Sequence, residues 1–553
     1  MQLPALLTGL RGYTRRQATT DVVSGVVVGI VALPLAIAFA IASGLPPEAG
    51  LYTAIVAGFL ISALGGSMVQ IGGPTGAFVV IVYGIVQQHG TEGLLVATLM
   101  AGVILVVMGV SGLGAAIKFI PFPVTTGFTA GIAVVIFSSQ VRDLLGLEME
   151  EVPADFMEKW AAFADHIGSA NAAAAAVAAL ALAVLILWPR VTRRLPAPFV
   201  ALVLPTLLVA LLGLDVETIG SRFGQVSAAP PRPRMPEISF ELVRELIGPA
   251  TAIALLGAIE SLLSAVVADG MTGGRHRSNV ELVAQGVANI ASPIFGGMPA
   301  TGAIARTATN VRNGGRTPVA GMVHAVTLLL VLLFFGRLVT YIPLAGLAAI
   351  LVVVAYHMSD WRTLVAEMKA PKSDVVVLLT TFGLTVLIDL VIAIEVGMVL
   401  AAFLFMRRMA EVTSVAAVRQ EFDGGRSPEG EALPELPAGV VVYEIEGPFF
   451  FGAAEKFKET LGEISRKPRV LVLRMRHVSA IDSTGLNALK DLIRRSRKDG
   501  TRVILSGIHA QPMAALARAG LLDELGEENL VGSLPEALEV IRGSRRPEAP
   551  VPA

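Results

Sequence analysis

The amino-acid sequence predicts a polytopic α-helical membrane protein followed by a small α/β domain, on the evidence of composition, hydropathic segments and an internal duplication. The 553-residue chain is 54% hydrophobic and 16% charged, whereas soluble domains carry roughly a quarter charged residues. The charge deficit lies between about Val22 and Phe405, where long apolar runs are broken only by short polar joints. After Arg407 the composition is that of an ordinary soluble domain.

Hydropathy predicts membrane-crossing helices along the first three-quarters of the chain. A helix needs about 20 apolar residues to cross a bilayer. The full-length candidates are 22–43, 50–65, 92–116, 122–141, 170–188, 197–213, 244–268, 317–336, 343–357, 374–390 and 391–406. Two further segments, 74–88 and 302–312, are too short or too polar to span alone. We expect about fourteen segments in total, with each of these two short segments counted as a half-crossing.

Charged residues predict the orientation of these segments, because short cytoplasmic joints collect Lys and Arg. The segment 148–165 is acidic, whereas basic clusters occur at Arg11/Arg15/Arg16, Arg190/Arg193/Arg194, Arg275/Arg277, Arg312/Arg316, Lys369/Lys372 and Arg407/Arg408. Placing the basic clusters inside and the acidic segment outside puts both termini in the cytoplasm. Residues 1–20 then form a retained cytoplasmic lead-in, and the expected location is the cell (inner) membrane.

Two motifs recur at a nearly constant offset, which predicts an internal repeat. Gly76 of GGPTGA and Gly302 of GGMPATGA lie 226 residues apart, and two Ile-Pro pairs that each open an apolar span lie 222 residues apart. Chance is the alternative, because Gly and Pro are common in membrane helices. The expected repeats cover about 21–213 and 244–412 within a transporter domain of 21–412. Seven crossings in each repeat would give them opposite orientations.

Short Gly/Pro-interrupted segments at matching positions of two repeats indicate a ligand site near the membrane midplane. A half-helix that begins there exposes unpaired N–H groups and the positive end of its dipole, which favours an anion. The first predicted half-helix opens at Gly76 and Ala77. The second opens at Gly302, Ala303, Ile304 and Ala305.

Three further residues are candidates for this site. Arg306 lies one turn into the second half-helix, where an arginine is costly and therefore a functional candidate; snorkelling or a structural ion pair is the alternative. Phe39 could cover one side of the cavity, or it could face lipid or the core. Glu260 is the single carboxylate deep inside its span, and it could carry a proton, coordinate a coupling cation or pair with Arg306.

The stretch LPLAIAFAIASGLPPEAGLYTAIVAGFLISALGGS, then QIGGPTGAF and GGMPATGAIARTATNVRNGGRT, resembles the sulfate-permease (SulP) family of anion transporters. The resemblance covers roughly residues 15–545. It implies a seven-plus-seven inverted repeat with a core and a gate domain, an elevator mechanism and a homodimer. It also implies an anion site at Phe39, Thr75, Gly76, Ala77, Gly302, Ala303, Ile304, Ala305 and Arg306, with Glu260 at the position that handles a coupling proton or sodium ion.

Two departures from the family pattern bear on the substrate. Many relatives carry serines around the arginine that corresponds to Arg306, where this chain has Ala303-Ile304-Ala305, and a polar residue where it has Leu35. A less polar cavity suits a carboxylate with an organic body. We therefore expect proton-coupled symport of a dicarboxylate, with bicarbonate or sulfate transport (sodium-coupled or by exchange), or a passive anion channel, as alternatives.

The C-terminal part has the alternating pattern of a small α/β domain. VVVYEIEGPFFFG predicts two strands, AAEKFKETLGEI a helix, RVLVLRMRHV a strand, IDSTGLNALKDLIRRSRKDG a loop and helix, and TRVILSG a strand. We expect a linker at 413–438, the domain at 439–545 and a tail at 546–553. The Asp482-Ser483 loop resembles that of STAS domains, which implies that Ser483 could be phosphorylated; a helix cap is the alternative. Cytoplasmic regulators are the expected partners.

Several function classes are disfavoured by the same sequence. The chain has no cysteine, which excludes thiolate metal sites and cysteine nucleophiles, and its net charge of −1 gives no support for nucleic-acid binding. No convincing catalytic constellation stands out, so we expect neither an enzyme nor a cofactor or metal. A nucleobase carrier and a membrane-anchored receptor are rival interpretations; the arginine of ARTATN argues against the first.

Overall fold

The computed structural model describes residues 3–115, 121–149, 152–153, 155–192, 195–388, 390–417, 436–462 and 467–543. The chain divides into two compact units, Met1–Val399 and Leu400–Ala553. Most of the predicted linker, 418–435, and the whole predicted tail, 546–553, lie outside the described residues.

The first repeat begins with short polar caps and prolines that start its helices. Thr14 forms a capping box with Gln17, and prolines occupy the first turns of three later helices, where the missing N–H costs no hydrogen bond. The helices are α1 Ala5–Gly9, α2 Arg15–Ala42, α3 Pro47–Leu64, α4 Gly76–Val110, α5 Phe122–Leu145, α6 Phe156–His166, α7 Ala172–Val191 and α8 Ala197–Leu212.

The helix α4 is two crossings joined at a kink. Gly90 has φ 69° and ψ −176° inside it, a conformation that favours glycine. The predicted segments 74–88 and 92–116 therefore correspond to the two halves of this one continuous element.

The second repeat follows a connection that contains α9 Ile219–Phe223 and α10 Phe240–Glu245. Its helices are α11 Ile247–Thr272, α12 Ser278–Ile294, α13 Ile304–Arg312, α14 Val319–Phe335, α15 Leu344–Ser359, α16 Trp361–Glu367, α17 Lys372–Leu387 and α18 Leu390–Val412. With α4 counted as two crossings, each repeat contributes seven membrane segments in the described part of the chain. Among the described residues, eight helices are long and apolar enough to span a membrane by length and composition alone.

Hydropathy did not predict the helix α12 as a span, because it contains several polar residues. In the structure these side chains form hydrogen bonds inside the protein. Glu281 accepts hydrogen bonds from the N–H groups of Gly66 and Ser67 at 2.8 and 3.1 Å. Asn289 exchanges two 2.8 Å bonds with the backbone of Ala300. These side chains are buried, so α12 packs against α3 and α4 despite its polarity.

The membrane helices form a core and a gate. In the core, α12 and α11 pack on α4, and α14 packs on α2 and α3. In the gate, α15 and α17 pack on α5, and α15 also packs on α7 and α8. Each group therefore combines helices from both repeats, as the predicted inverted repeat requires.

The second unit contains a five-stranded sheet of order β3-β4-β5-β6-β7, with β3 antiparallel to β4 and the other pairs parallel. Its elements are β3 Ser414–Ala417, β4 Val440–Glu446, α19 Phe451–Gly462, β5 Val470–His477, α20 Ser483–Lys498, β6 Arg502–Ser506, α21 Ala510–Arg518, α22 Leu521–Leu525, β7 Leu530–Val531 and α23 Leu534–Gly543. The strand β3 falls within the range expected for the linker.

The prediction of two strands in VVVYEIEGPFFFG is wrong in its second half. Only β4 forms a regular strand there, and α19 begins at Phe451. Phe449 makes a single bridge to Ile481 and is fully buried against Phe457. Phe449 and Phe457 pack in the hydrophobic core of the domain. The local sequence alone could not distinguish such buried aromatic residues from those of a strand.

Candidate anion-binding site

Two very short strands bring the predicted half-helices together. The strands β1 Gly72–Gly73 and β2 Thr301–Gly302 pair antiparallel, with Gly72 opposite Gly302. A Cβ on Gly302 would overlap the side-chain amide of Gln70. Glycine is therefore required where the two chain segments cross.

Hydroxyl groups on α11 and α13 fix this crossing in place. Ser261 and Thr301 join their hydroxyls at 2.7 Å, and the N–H of Gly302 donates to Ser261 Oγ at 3.2 Å. Thr307 Oγ1 accepts from the N–H of Ile71 at 3.0 Å. The helix that carries Glu260 is thus bonded to the strand that leads into the second half-helix.

The first half-helix begins at the predicted residue, Gly76. Thr75, Gly76 and Ala77 are all buried, and Thr75 Oγ1 has no hydrogen-bond partner among the described residues. A Cβ on Gly76 would lie 3.3 Å from Phe39 and from Ile136, and 3.5 Å from Met358. Phe39 therefore covers this helix start, together with two gate residues.

The second half-helix begins at Ile304, two residues later than predicted, since Gly302 belongs to β2 and Ala303 precedes the first turn. Ile304 is 38% exposed and Ala305 is also exposed, whereas Ala303 is buried. The exposed first turn leaves the N-terminal N–H groups of α13 beside open space.

Arg306 is 2% exposed and reaches back to the first half-helix. Its Nη2 donates to the carbonyl oxygen of Pro74, and its Nη1 has no partner among the described residues. Its guanidinium also lies against Gly73, where a Cβ would collide with it. Arg306 thus does not snorkel to a surface, and one buried donor remains available near the site.

Glu260 is 8% exposed within α11. It forms no hydrogen bond or ion pair with any residue that the structure describes, so the ion pair with Arg306 left open by the sequence is not formed there. A carboxyl without a neutralising cation at this depth is the arrangement expected of a group that binds and releases a proton or cation.

Sequence reasoning missed three residues that shape the site. Gln70 donates to the Ser261 carbonyl at 3.2 Å, and its place two residues before the GGPTGA motif was a usable signal. Ile136 and Met358 carry no such signal, because they come from gate helices distant in sequence and meet Gly76 only in the folded protein.

The small C-terminal domain contains the second predicted site. Asp482 caps α20, with Oδ1 accepting from the Gly485 N–H at 2.8 Å and Oδ2 from the Phe451 N–H at 3.2 Å. Ser483 is exposed at the first position of α20. The cap is therefore made by Asp482, and phosphorylation of Ser483 stays a prediction.

Two half-helices whose N-termini approach across paired strands, inside an inverted repeat with a core and a gate, define a membrane transporter of anions. The chain belongs to the sulfate permease family, whose model matches residues 19–381, and a STAS domain model matches residues 434–537. Family membership confirms the resemblance seen in the sequence and places the protein among transporters rather than enzymes.

Individual relatives agree with this assignment. The chain is 42% identical to the putative sulfate transporter YvdB of Bacillus subtilis over 94% of its own length and 97% of the relative. The transmembrane domain of the cyanobacterial bicarbonate transporter BicA matches with a TM-score of 0.63 and 30% identity, covering 69% of this chain and 98% of that one. Murine Slc26a9, an anion transporter in the inward-facing state, shares the fold at a TM-score of 0.87 and 19% identity, covering 98% and 94%.

Proposed function

We propose that this protein is a secondary active transporter that carries a small anion between the N-termini of α4 and α13. The observation that carries the proposal is the meeting of two helix N-termini beside an arginine that no acidic group of the described residues neutralises. Backbone N–H groups and helix dipoles stabilise an anion there without a metal. Arg306 adds a full positive charge, and its Nη1 adds a hydrogen-bond donor that is unpaired in the described part of the chain.

An elevator movement is the transport mechanism that fits this distribution of residues. Phe39, Gly76 and Ile304 belong to core helices, whereas Ile136 and Met358, which close the site over Gly76, belong to the gate. A core that slides as one body would carry the whole anion site past a static gate. Exposure of Ile304 and burial of Gly76 match a site that is open toward the α13 side only.

A dicarboxylate is our leading substrate, because the accessible turn of α13 offers Ile304 and Ala305 in place of hydroxyl groups. An apolar lining suits an organic body between two carboxylates. Bicarbonate is the second candidate, favoured by the 30% identity with the BicA transmembrane domain, and the name of the Bacillus relative adds sulfate. Uptake of labelled succinate, bicarbonate and sulfate into proteoliposomes, with proton and sodium gradients imposed separately, distinguishes these substrates.

Concentrative uptake in that assay separates a carrier from a passive channel. A carrier accumulates the anion above its external concentration when the coupling gradient is imposed, and its flux saturates. Flux that runs only downhill and saturates poorly would contradict the carrier proposal.

Glu260 is the proposed proton-coupling group, because it is buried without a cationic partner among the described residues. Glu260→Gln should abolish proton-driven accumulation and retain part of the anion exchange, since a neutral amide cannot bind and release a proton as a carboxyl does. Exposed Glu241 on α10 supplies the matched control, Glu241→Gln, which should behave like the wild type. An unchanged pH dependence of uptake in Glu260→Gln would remove Glu260 from the coupling mechanism.

The proposed location of the protein is the cell (inner) membrane, where it would act as a homodimer with both termini in the cytoplasm. The basic residues near the N-terminal end of α2 and at the C-terminal end of α18 support this orientation. The STAS domain would then meet cytoplasmic regulators. Accessibility of single introduced cysteines to an impermeant reagent tests the orientation, and crosslinking in membranes tests the dimer.

A further inference from the structure

A cavity of about 520 Å³ lies between the core and the gate, beyond the covered end of the anion site. Its walls include Ile41 and Ala42, which follow Phe39 on α2, and Val79, one turn after Gly76 on α4. The helix α6, the ends of α5 and α17, and two residues of α9 also line it. The cavity therefore borders α2 and α4, the helices that carry Phe39 and Gly76.

Lys159 of α6 lines this cavity and is unusual for a lysine. Its side chain is 4% exposed, and its Nζ lies 6.0 Å from the centre of the Tyr83 ring. It makes no hydrogen bond or ion pair with a residue of the described ranges. Burial lowers the pKa of Lys159, and the nearby Asp155 carboxylate offsets part of that shift. A buried ammonium whose hydrogen bonds are not completed is destabilising.

Arg142 of α5 contributes a second unsatisfied donor to the same cavity. Its Nε is buried and has no partner among the described residues. A charged donor that is left unpaired costs more than a neutral one. Two cationic residues from different helices thus line one partly open cavity, and their hydrogen bonds are not completed by the described residues.

The acidic residues around the cavity are already engaged elsewhere. Asp143 forms an ion pair with Arg222 at 2.7 Å. Nε of Arg222 donates a hydrogen bond to Glu217 Oε1, also at 2.7 Å. Asp155 caps α6, accepting from the N–H groups of Met157 and Glu158 at 2.8 and 3.0 Å. Among the described residues around the cavity, these three carboxylates balance the three cations Lys159, Arg142 and Arg222, so the cavity offers unpaired hydrogen-bond donors rather than an excess of positive charge.

We propose that this cavity is a second anion site, in which Lys159 and Arg142 bind a small inorganic anion. The anion would complete the hydrogen bonds of Lys159 Nζ and Arg142 Nε. The site is separate from the one formed by the half-helices, and its existence does not depend on which anion is transported.

Trp160, next to Lys159 in the chain, provides a direct readout with iodide as the probe. Its Nε1 donates to Ser138 Oγ at 3.1 Å, which holds the indole beside α5. In full-length protein carrying Trp188→Phe and Trp361→Phe, iodide should quench the fluorescence of Trp160 with a saturable component at constant ionic strength. Lys159→Met, which keeps the volume but removes the charge, should leave only linear collisional quenching.

Four companion variants make the test specific. Lys159→Arg, which keeps the charge, should retain saturable quenching. Arg142→Gln should weaken the apparent iodide affinity several-fold. This second variant still tests the site if Lys159→Met fails to fold. Arg232→Gln, which removes an exposed cation of the connection between the repeats, should change nothing. Arg306→Ala should leave saturation intact. Saturable quenching that survives both Lys159→Met and Arg142→Gln, or that disappears in Arg306→Ala, would overturn the proposal.

Discussion

The two half-helices are equivalent in the repeat but differ in what surrounds them. Neither start has a side-chain cap, since Thr75 and Ala303 make no capping hydrogen bond, so side chains leave the first backbone N–H groups of both helices unoccupied. The start at Gly76 is buried under Phe39 and gate residues. The start at Ile304 is exposed and is followed by Arg306. In the proposed site, the two similar backbones would supply the hydrogen-bond donors, whereas different side chains would supply cover at one start and charge at the other.

Arg306 connects the two half-helices. Its Nη2 donates to the Pro74 carbonyl, which lies just before the first half-helix, so a side chain of the second repeat braces the backbone of the first. Loss of this residue should affect both helix starts, whereas a change at either start should remain more local. Substitutions at Arg306, at the two glycines and at Ala305 test that difference, in order of expected effect.

Arg306→Ala is expected to have the largest effect. Loss of a hydrogen bond to a charged group costs about 1.5–3 kcal/mol, which corresponds to roughly a tenfold to hundredfold weaker anion affinity at about 1.4 kcal/mol per factor of ten. Equilibrium binding of labelled anion to the purified protein measures this change. Arg312→Gln, at an exposed arginine of the same helix, is the matched control. Wild-type affinity in Arg306→Ala would assign Arg306 a purely structural role.

The two glycines should separate stability from transport. Gly302→Ala forces a methyl group against Gln70 and disturbs its bond to the Ser261 carbonyl, at a cost of about 1–3 kcal/mol as in other overpacked interiors. Gly76→Ala meets only side chains that can move, at 3.3 Å or more, so it should leave unfolding nearly unchanged and reduce transport. Thermal unfolding in detergent and proteoliposome uptake give the two readouts.

A third glycine serves as the control for this pair. Gly270 lies in α11, and no atom lies within 4 Å of the position that a Cβ would take there, so Gly270→Ala should be neutral in both assays. Equal loss of thermal stability in Gly302→Ala and Gly76→Ala would contradict the contrast between a structural crossing and a ligand-facing helix start.

The sequence predicted these helix starts well because their signal is local. Glycines and prolines that break apolar segments mark both starts, and the constant offset relates one to the other. The first start was correct to the residue. The second was two residues early, since Gly302 pairs with Gly72 in a strand, and a two-residue strand has no pattern that sequence can reveal.

The features that sequence reasoning missed depend on long-range packing. The helix α12 contains several polar residues, and only the folded protein shows that Glu281 and Asn289 bond to backbone groups of other segments. Ile136 and Met358 look like ordinary apolar residues of gate helices. The buried state of Lys159 was equally hidden, because it lies in an acidic segment that by itself predicts a solvated loop.

Ala305→Ser should have the smallest effect, and it tests whether the exposed turn of α13 sets substrate preference. A new hydroxyl beside the N–H groups offers one more hydrogen bond, worth about 0.5–1.5 kcal/mol, so the KM for an inorganic oxyanion should fall by roughly twofold to tenfold. Ala308→Ser, one turn further along the same helix, should leave the KM unchanged because the added hydroxyl is remote from the helix start. Equal changes in both variants would mean that the first turn does not select the anion, and the preference would then have to come from the Phe39 side of the site.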